Sequence, residues 1–598
     1  MIEPRLYRAA FLPALLAAVI AAFSLEDRPP AVPQGLPADV LFDGGLASSS
    51  VGEIVHAAPD RRVGSPGDLR TAGTVAGAFR GFRFTTTVDR FRDDGTSLVN
   101  VIGRRPGLSP HEVVLLASRD ALSVPDATGS GADTAALMEV ARVLSGRATN
   151  RTIVLASVDG STRGDAGARR FVDRIGDPKL VDAVLVLSNM GAPRSHGPLL
   201  VDWSNDWSRG GLGLRRTATD SLRNELGTDG GPTATPAAQI ARLAVPVGLG
   251  AQGALLQRGL PALRLSGSGE RAGPQGQRRL ADIDHTRYGE LGRSALRVVS
   301  ALDAAHALPA HGPHSYVLAG GGVVPGWALA LLAAALILPA LVASVDALAR
   351  AGRRHEPITR WLGWAWFGML PLALGLAVAD LLVLVGLAKD APPTPLDPSL
   401  TPVDGRALAD LVAVSLTILV CWALMRTPLI RRGARLPDAS APGAGVATSL
   451  GLCAVSVAIW FLDPYAALLF ALPLNCWMLA VISGARPATR VWLVLIGLLP
   501  AALVAGTYMH ELSLGPLEAV WYLFLLITGG QVGLLRTLVL FVVGGLFGAV
   551  VAIVAARVRS YEKAPDPAPP EPGLPPAIGP ASRLEGAPER GRRSLLRR

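Results

Sequence analysis

Cysteine is scarce in this sequence. The chain of 598 residues has three, Cys421, Cys453 and Cys476, and all lie in apolar runs. Residues 25–322 contain none, so no disulfide holds that stretch together, whichever side of a membrane it occupies. The three read as small apolar packing residues. Lysine is scarce as well: arginine supplies nearly all the positive charge, in a chain of formal net charge +10. That charge clusters between apolar runs and in the C-terminal tail, with no recognition motif beside it, so no nucleic-acid partner is expected. Long apolar runs are missing from 25–322 and dominate 326–557. With 50% hydrophobic residues overall, this is the composition of a membrane protein carrying one large soluble domain. The Ala/Arg/Gly/Pro bias is that of a GC-rich bacterial genome.

The N-terminus has Arg5 and Arg8 before an apolar run at 9–23. That is a signal peptide or signal anchor over 1–24, read here as an uncleaved anchor. Further apolar runs lie near 327–346, 361–387, 407–425, 444–462, 465–482, 491–508, 517–530 and 534–556. The loops between them alternate in charge: "ARAGRRHEPITR", "RTPLIRRGAR" and "SGARPATR" are basic, "KDAPPTPLDPSLTPVDG" and "HELSLGPLE" acidic. The positive-inside rule puts the basic loops in the cytoplasm and 25–322 outside the plasma membrane. The basic tail then belongs inside only if 517–535 is an interfacial or re-entrant piece. Residues 558–598, rich in Pro and Arg, read as a disordered tail.

The soluble part shows no internal repeat. Strand-like runs at 111–118, 151–157 and 182–189 alternate with amphipathic helices at 132–146 and 164–175. That order predicts an α/β domain with a largely parallel sheet.

The pieces in order are "HAAPDRRVGSPGDLRTAGTVAGAF", "NVIGRRPG" with "VVLLASRDA", "TGSGADTAALMEVARVL", "RTIVLASVDGSTRGDAGARRFV", "LVLSNMGA", and "RGLPALRLSGSGE" with "DIDHTRYGELGRSALRVVSAL". Over about 50–305 they resemble the zinc exopeptidases of the leucyl aminopeptidase and glutamate carboxypeptidase type. The resemblance implies a three-layer α/β sandwich around a mixed sheet, followed here by an all-α bundle of seven or eight segments. The layout is similar to the membrane members of that family. It also resembles the attachment subunit of the glycosylphosphatidylinositol transamidase, a likeness of architecture alone.

The family holds two zinc ions with His, Asp and Glu side chains, and a Glu acts as general base. Carried over, the His of His-x-Asp falls on Ser118 and the bridging Asp on Gly129. The Glu-Glu pair falls on Ser161 and Thr162, and the Asp of Asn-x-Asp-Met on Asn189. The last His falls within 272–276, which has none. The supporting Asp120 and Asp159 are retained. Ser, Gly, Thr and Asn do not hold zinc, so the resemblance implies a degenerate, non-catalytic member without a metal cofactor.

Other arrangements stay open. Asp133 reads as the N-cap of a helix over 134–145, or, with one turn deleted, as the bridging acid. His285, beside Asp284, serves a displaced site or is a surface residue at a helix start. Asp120, Asp126, Asp133, Asp159 and Asp165 bind a hard cation together or are solvated and capping acids. Asp380 lies in an apolar run and is either functional or at headgroup level. Asn475 and Gln531 are expected to bond between helices, and Pro339, Pro371, Pro473 and Pro500 to kink theirs. The expected partners are the lipid bilayer and a peptide, lipid-linked glycan or protein in the cleft. An active metallopeptidase with a displaced site is the second reading, and a transporter or lipid-handling protein with a regulatory exported domain the third.

Overall fold

The computed structural model describes residues 4–33, 41–231, 234–273, 278–306, 311–388, 391–392, 394–432, 441–482 and 484–562. The tail expected to be disordered lies outside them from residue 563 onward.

The α/β domain is built on seven strands: β1 (Thr85–Asp93), β2 (Thr96–Arg105), β3 (Ser109–Ser118), β4 (Arg151–Val158), β5 (Val181–Ser188), β6 (Leu200–Val201) and β7 (Ala262–Ser266). They run in the order β1-β2-β4-β3-β5-β7-β6. The pairs β4–β3, β3–β5 and β5–β7 are parallel and the others antiparallel. The central strands are apolar throughout because helices cover both faces. Val113, Leu115 and Ala117 point to one core, with α3 (Gly44–Ala57), α4 (Pro66–Gly81), α5 (Ala132–Leu144), α7 (Leu212–Leu226) and α10 (His285–Ala304). Val114 and Leu116 point to the other, with α6 (Ala166–Arg174) and α9 (Ala251–Gln257). Three layers result.

The expected strands and helices lie where the periodicity put them, with ends shifted by one or two residues. One helix cap differs. The residue before α5 is Gly131, and Asp133 lies inside its first turn with its carboxylate turned to the end of β5. The β1–β2 hairpin was not anticipated. Asp94 and Gly95, at φ 48° and 78°, form its turn, and an Asp-Gly pair is the local signal for one.

Eight helices among the described residues are long and apolar enough to cross a membrane. The first, Arg5–Phe23, contains α1 (Pro4–Ala9) and α2 (Leu12–Phe23). The others follow a hairpin of β8 (Tyr316–Ala319) and β9 (Gly322–Pro325). They contain α11 (Gly326–Arg353), α12 (Ile358–Phe367) with α13 (Leu370–Leu384), α14 (Gly405–Arg432), α15 (Pro442–Leu462), α16 (Pro464–Ile482), α17 (Pro487–Ile496) with α18 (Leu499–Glu511), and α20 (Leu534–Glu562). Between the last two lies α19 (Pro516–Thr528), only 13 residues long. Pro339 and Pro473 lie within helices as expected. Pro371 and Pro500 instead open α13 and α18, after breaks at Gly368 and Gly497, because proline suits a first turn. A Cβ on Gly368 would stand 2.9 Å from the Gly545 carbonyl, so α20 crosses the first break at backbone contact.

The helical domain and the α/β domain share a packed seam. Val247 and Leu249 join Tyr508, Leu512, Trp521 and Tyr522 in one apolar cluster. Arg242, at the end of α8 (Pro236–Ala244), pairs with Glu270 at 2.7 Å and with Glu511 of α18 at 3.2 Å. At the other end of the domain, Glu26 and Val323 exchange backbone hydrogen bonds of 2.9 and 3.0 Å, so the chain enters and leaves the domain side by side.

Candidate functional site

The C-terminal tips of β3, β4 and β5 meet where a parallel sheet places its ligands. β3 ends at half-buried Ser118, followed by Arg119 and Asp120, both buried. Arg119 forks onto Asp68 of α4 at 2.8 and 2.9 Å, donates to the Val99 carbonyl at 2.8 Å, and stands 3.5 Å from Asp159. Asp159 accepts from the Val99 N–H at 3.1 Å and closes the end of β4. Asp120 receives the N–H groups of Ser161 and Thr162 at 2.9 and 3.1 Å, and the Thr162 hydroxyl at 3.1 Å. Burial raises the Asp120 pKa, and these donors oppose the rise. The turn that resembles the Glu-Glu pair is therefore pinned through its backbone by a supporting acid.

The loop before α5 is tied in the same way. Asp126 accepts from the Ser130 N–H at 3.2 Å and its hydroxyl at 2.9 Å, and pairs with Arg278 at 3.0 Å. Arg61, fully buried, donates to the carbonyls of Pro125 and Asp126 at 2.9 and 3.2 Å. A Cβ on Gly129 would meet the Asp126 carboxylate at 2.5 Å, so no side chain fits there while Asp126 holds its place. Asp133 takes the N–H groups of Asn189 and Met190 at 2.9 and 2.8 Å, and burial raises its pKa to about 8. It orders the end of β5 and does not cap α5.

Zinc is the metal the family resemblance implies, and these residues do not fit it. Hydroxyls, a glycine and an amide stand at the ligand positions, and Asp120, Asp126, Asp133 and Asp159 are engaged by backbone N–H groups or arginines. Among the described residues, no group of three His, Cys, Asp or Glu side chains is placed to hold a metal ion. The window 272–276 lies in part outside the described residues. A groove of about 490 Å³ opens between the loop before β6, the end of α7 and the start of α10, lined by Ser195, Thr228, Asp284, Arg287 and Glu290 among others.

Several expected residues are elsewhere. His285 is exposed at the start of α10, with Nδ1 on the Ser48 hydroxyl at 3.0 Å, and joins no acid and serine of the cleft. Asp284 beside it caps α10 through the Arg287 N–H. Asp380 is exposed one turn before the end of α13 at Leu384. Asn475 does bond between helices: its amide donates to the Leu336 carbonyl of α11 at 3.2 Å and accepts from the Tyr7 hydroxyl at 2.9 Å. Gln531 lies in the turn between α19 and α20, not within a helix. It joins Asn205 of the α/β domain, at 3.3 Å, to the Leu396 N–H, at 3.0 Å.

Sequence reasoning overlooked the arginines. Arg61, Arg119 and Arg264 are all 5% exposed or less. Arg264 had a legible signal, a lone charge inside the apolar strand "PALRLSG". Arginines are almost never fully buried unless paired, so each points to a partner from elsewhere in the chain: Asp68 for Arg119, and backbone carbonyls for Arg61 and Arg264.

No family model and no curated protein matches the chain. The solved structures it is similar to include zinc aminopeptidases and glutaminyl cyclases. One is a zinc aminopeptidase from Bacillus subtilis, 13% identical over 43% of this chain and 94% of that one, with a TM-score of 0.37. Another is a glutaminyl cyclase from an Acidobacteriales bacterium, 19% identical over 46% of this chain and 98% of that one, TM-score 0.37. A third is the LapA aminopeptidase of Legionella pneumophila, 14% identical over 45% of this chain and 74% of that one, TM-score 0.37.

Proposed function

We propose that this is a bacterial integral membrane protein whose extracytoplasmic, aminopeptidase-like domain binds a ligand or partner and no longer hydrolyses peptides. The carrying observation is the sealed ligand loop: Gly129 lies against Asp126, and Asp126 is held by Arg278 and Ser130. A lost metal site with its cavity kept open would suit a displaced metal. A site filled by ion pairs suits a fold kept for binding, with the groove between the end of α7 and the start of α10 as the surface on offer.

If all eight candidate helices cross and α19 lies at the surface, the outer ends of the first and last and every basic loop fall on one side. That agrees with the positive-inside rule and with a plasma-membrane protein whose α/β domain faces outward. The hydrogen bond from the Tyr7 hydroxyl to the Asn475 amide supports reading the N-terminal helix as an uncleaved anchor. The test is zinc analysis of the purified full-length protein together with a chelator-controlled aminopeptidase assay. Zinc well below stoichiometric amounts and no chelator-sensitive hydrolysis are expected. Near-stoichiometric zinc with hydrolysis overturns the reading.

A further inference from the structure

Between β6 and α7 the chain makes a short loop, "WSNDWSR", with a tryptophan near its tip. The ends of the loop are closed. Trp203 and Arg209 form an isolated antiparallel bridge, and both are buried. The Arg209 guanidinium stacks 4.2 Å from the centre of the Trp203 ring and pairs with Asp202 at 3.0 Å. The tip is fixed as well. Asn205 accepts from the Gly248 N–H at 2.9 Å, and Asp206 from the Ser208 N–H at 2.9 Å. Trp207 stands out from this closed frame. It is 39% exposed, the one aromatic among the large apolar side chains that the described α/β domain leaves exposed. Among the described residues its indole N–H meets no acceptor.

Two contacts place the tip against the helical domain. On one side, Asn205 Oδ1 accepts from the Gln531 amide at 3.3 Å, in the turn just before α20. On the other, the Arg209 N–H donates to the His314 carbonyl at 2.9 Å. The next residue, Ser315, accepts at 3.0 Å from the N–H of Gly326, which opens α11. Trp207 is thus bracketed by the starts of two candidate spanning helices. Those starts carry exposed apolar side chains: Trp327 on α11, and Leu534 and Leu535 on α20. Phe461 is exposed at the same end of the bundle, beside Trp460, whose indole donates to the Ala330 carbonyl of α11 at 2.9 Å. A ring that is apolar over its face and polar at its N–H suits the layer where head groups meet hydrocarbon, and tryptophans collect there.

We propose that the loop from Trp203 to Arg209 is a membrane-docking tip of the α/β domain. Trp207 lies in the head-group layer of the leaflet that receives the starts of α11 and α20, with its indole N–H donating to a lipid oxygen. The partner is the bilayer surface rather than another protein, because the exposed ring continues the apolar rim formed by Trp327, Leu534 and Leu535. The frame is ordered by its own bonds, so docking has to immobilise little more than one side chain. The tip adds a lipid contact to the packed seam between the domains. The proposal rests on reading the chain as a membrane protein.

The test uses the full chain in lipid nanodiscs, with fluorinated tryptophan at all 11 positions, followed by fluorine NMR. The Trp207 signal is assigned by its loss in Trp207→Phe, where the other signals should stay in place and show the fold intact. The signal of Trp366, 40% exposed within a candidate span, is assigned in the same way with Trp366→Phe. Two kinds of paramagnet are compared: nitroxides on the lipid head group or acyl chain, and a water-soluble gadolinium chelate. The head-group nitroxide should broaden the Trp207 signal several-fold more than the chelate does. A Trp207 signal broadened mainly by the chelate overturns the proposal, since the ring then stands in water. A signal that neither reaches also overturns it, since a protein surface then covers the ring. Trp366 separates the two possible failures. Broadening of Trp366 by the acyl-chain nitroxide, with Trp207 following the chelate, removes this proposal alone. A Trp366 signal untouched by either nitroxide removes the membrane reading with it.

Discussion

Replacing Arg119 by methionine tests the ion-pair core of the cleft. Arg119 and Asp68 are both fully buried, joined by hydrogen bonds of 2.8 and 2.9 Å, and Asp159 lies 3.5 Å from the same guanidinium. Methionine fills much of the space but leaves Asp68, Asp159 and Asp120 facing one another without their cation. Removing one partner of a buried pair costs about 3–5 kcal/mol, and the crowding of three acids argues for the upper end. With a urea slope of about 3 kcal/mol per M, a loss of about 4 kcal/mol lowers the midpoint by about 1.3 M. The assay is urea-dependent pulse proteolysis of the α/β domain within the detergent-solubilised full chain. Adding Asp68→Asn should recover part of the loss, since it removes an unmatched charge. In the single variant the orphaned acids bind protons more readily folded than unfolded, so its midpoint should rise as the pH is lowered. A midpoint within about 0.3 M of the native protein's would refute the reasoning.

In the native protein, folded pKa values of about 8 at Asp133 and about 7 at Asp165 stand above the unfolded value of about 3.9. The folded state thus holds the extra protons, and this contribution to stability declines as pH rises from about 4 to about 8. Urea midpoints should fall from pH 5 to pH 8, and Asp165→Asn should flatten that slope; a rising profile contradicts it. Gly129→Ala should cost about 1–3 kcal/mol, because its methyl displaces the Asp126 carboxylate, and an unchanged urea midpoint would show that the loop yields. Tyr7→Phe should lower the thermal midpoint in detergent by removing a bond of about 1 kcal/mol to Asn475. The purified protein should keep its N-terminal helix, and an intact mass lacking residues 1–24 would argue against an anchor.

Much of the architecture was legible residue by residue. The strand "HEVVLLAS" and the helix "ADTAALMEVARVL" show their periods openly, and within 517–535, the piece that the loop charges set apart from the spans, α19 is 13 residues long. The residue types at the positions that the resemblance assigns to metal ligands were legible too, because a residue's donor atoms belong to it before it folds. The site was read less well. Asp133 looked like a helix cap, since a preference for helix starts is local, whereas its actual partners, the Asn189 and Met190 N–H groups, come from another strand. Gln531 was expected to bond between helices but lies in a turn and bonds Asn205 of the α/β domain, a partner that hydropathy alone does not reveal.

What the sequence determined alone was therefore the succession of elements and the lengths of the apolar helices, both properties of neighbouring residues. What only the tertiary structure decided was the pairing of charges. Arg119 meets Asp68 from 51 positions away, and Glu511 reaches Arg242 from the other domain. Such partners are brought together by strand order and by the docking of one domain on another, and a buried guanidinium selects whichever acid that geometry delivers.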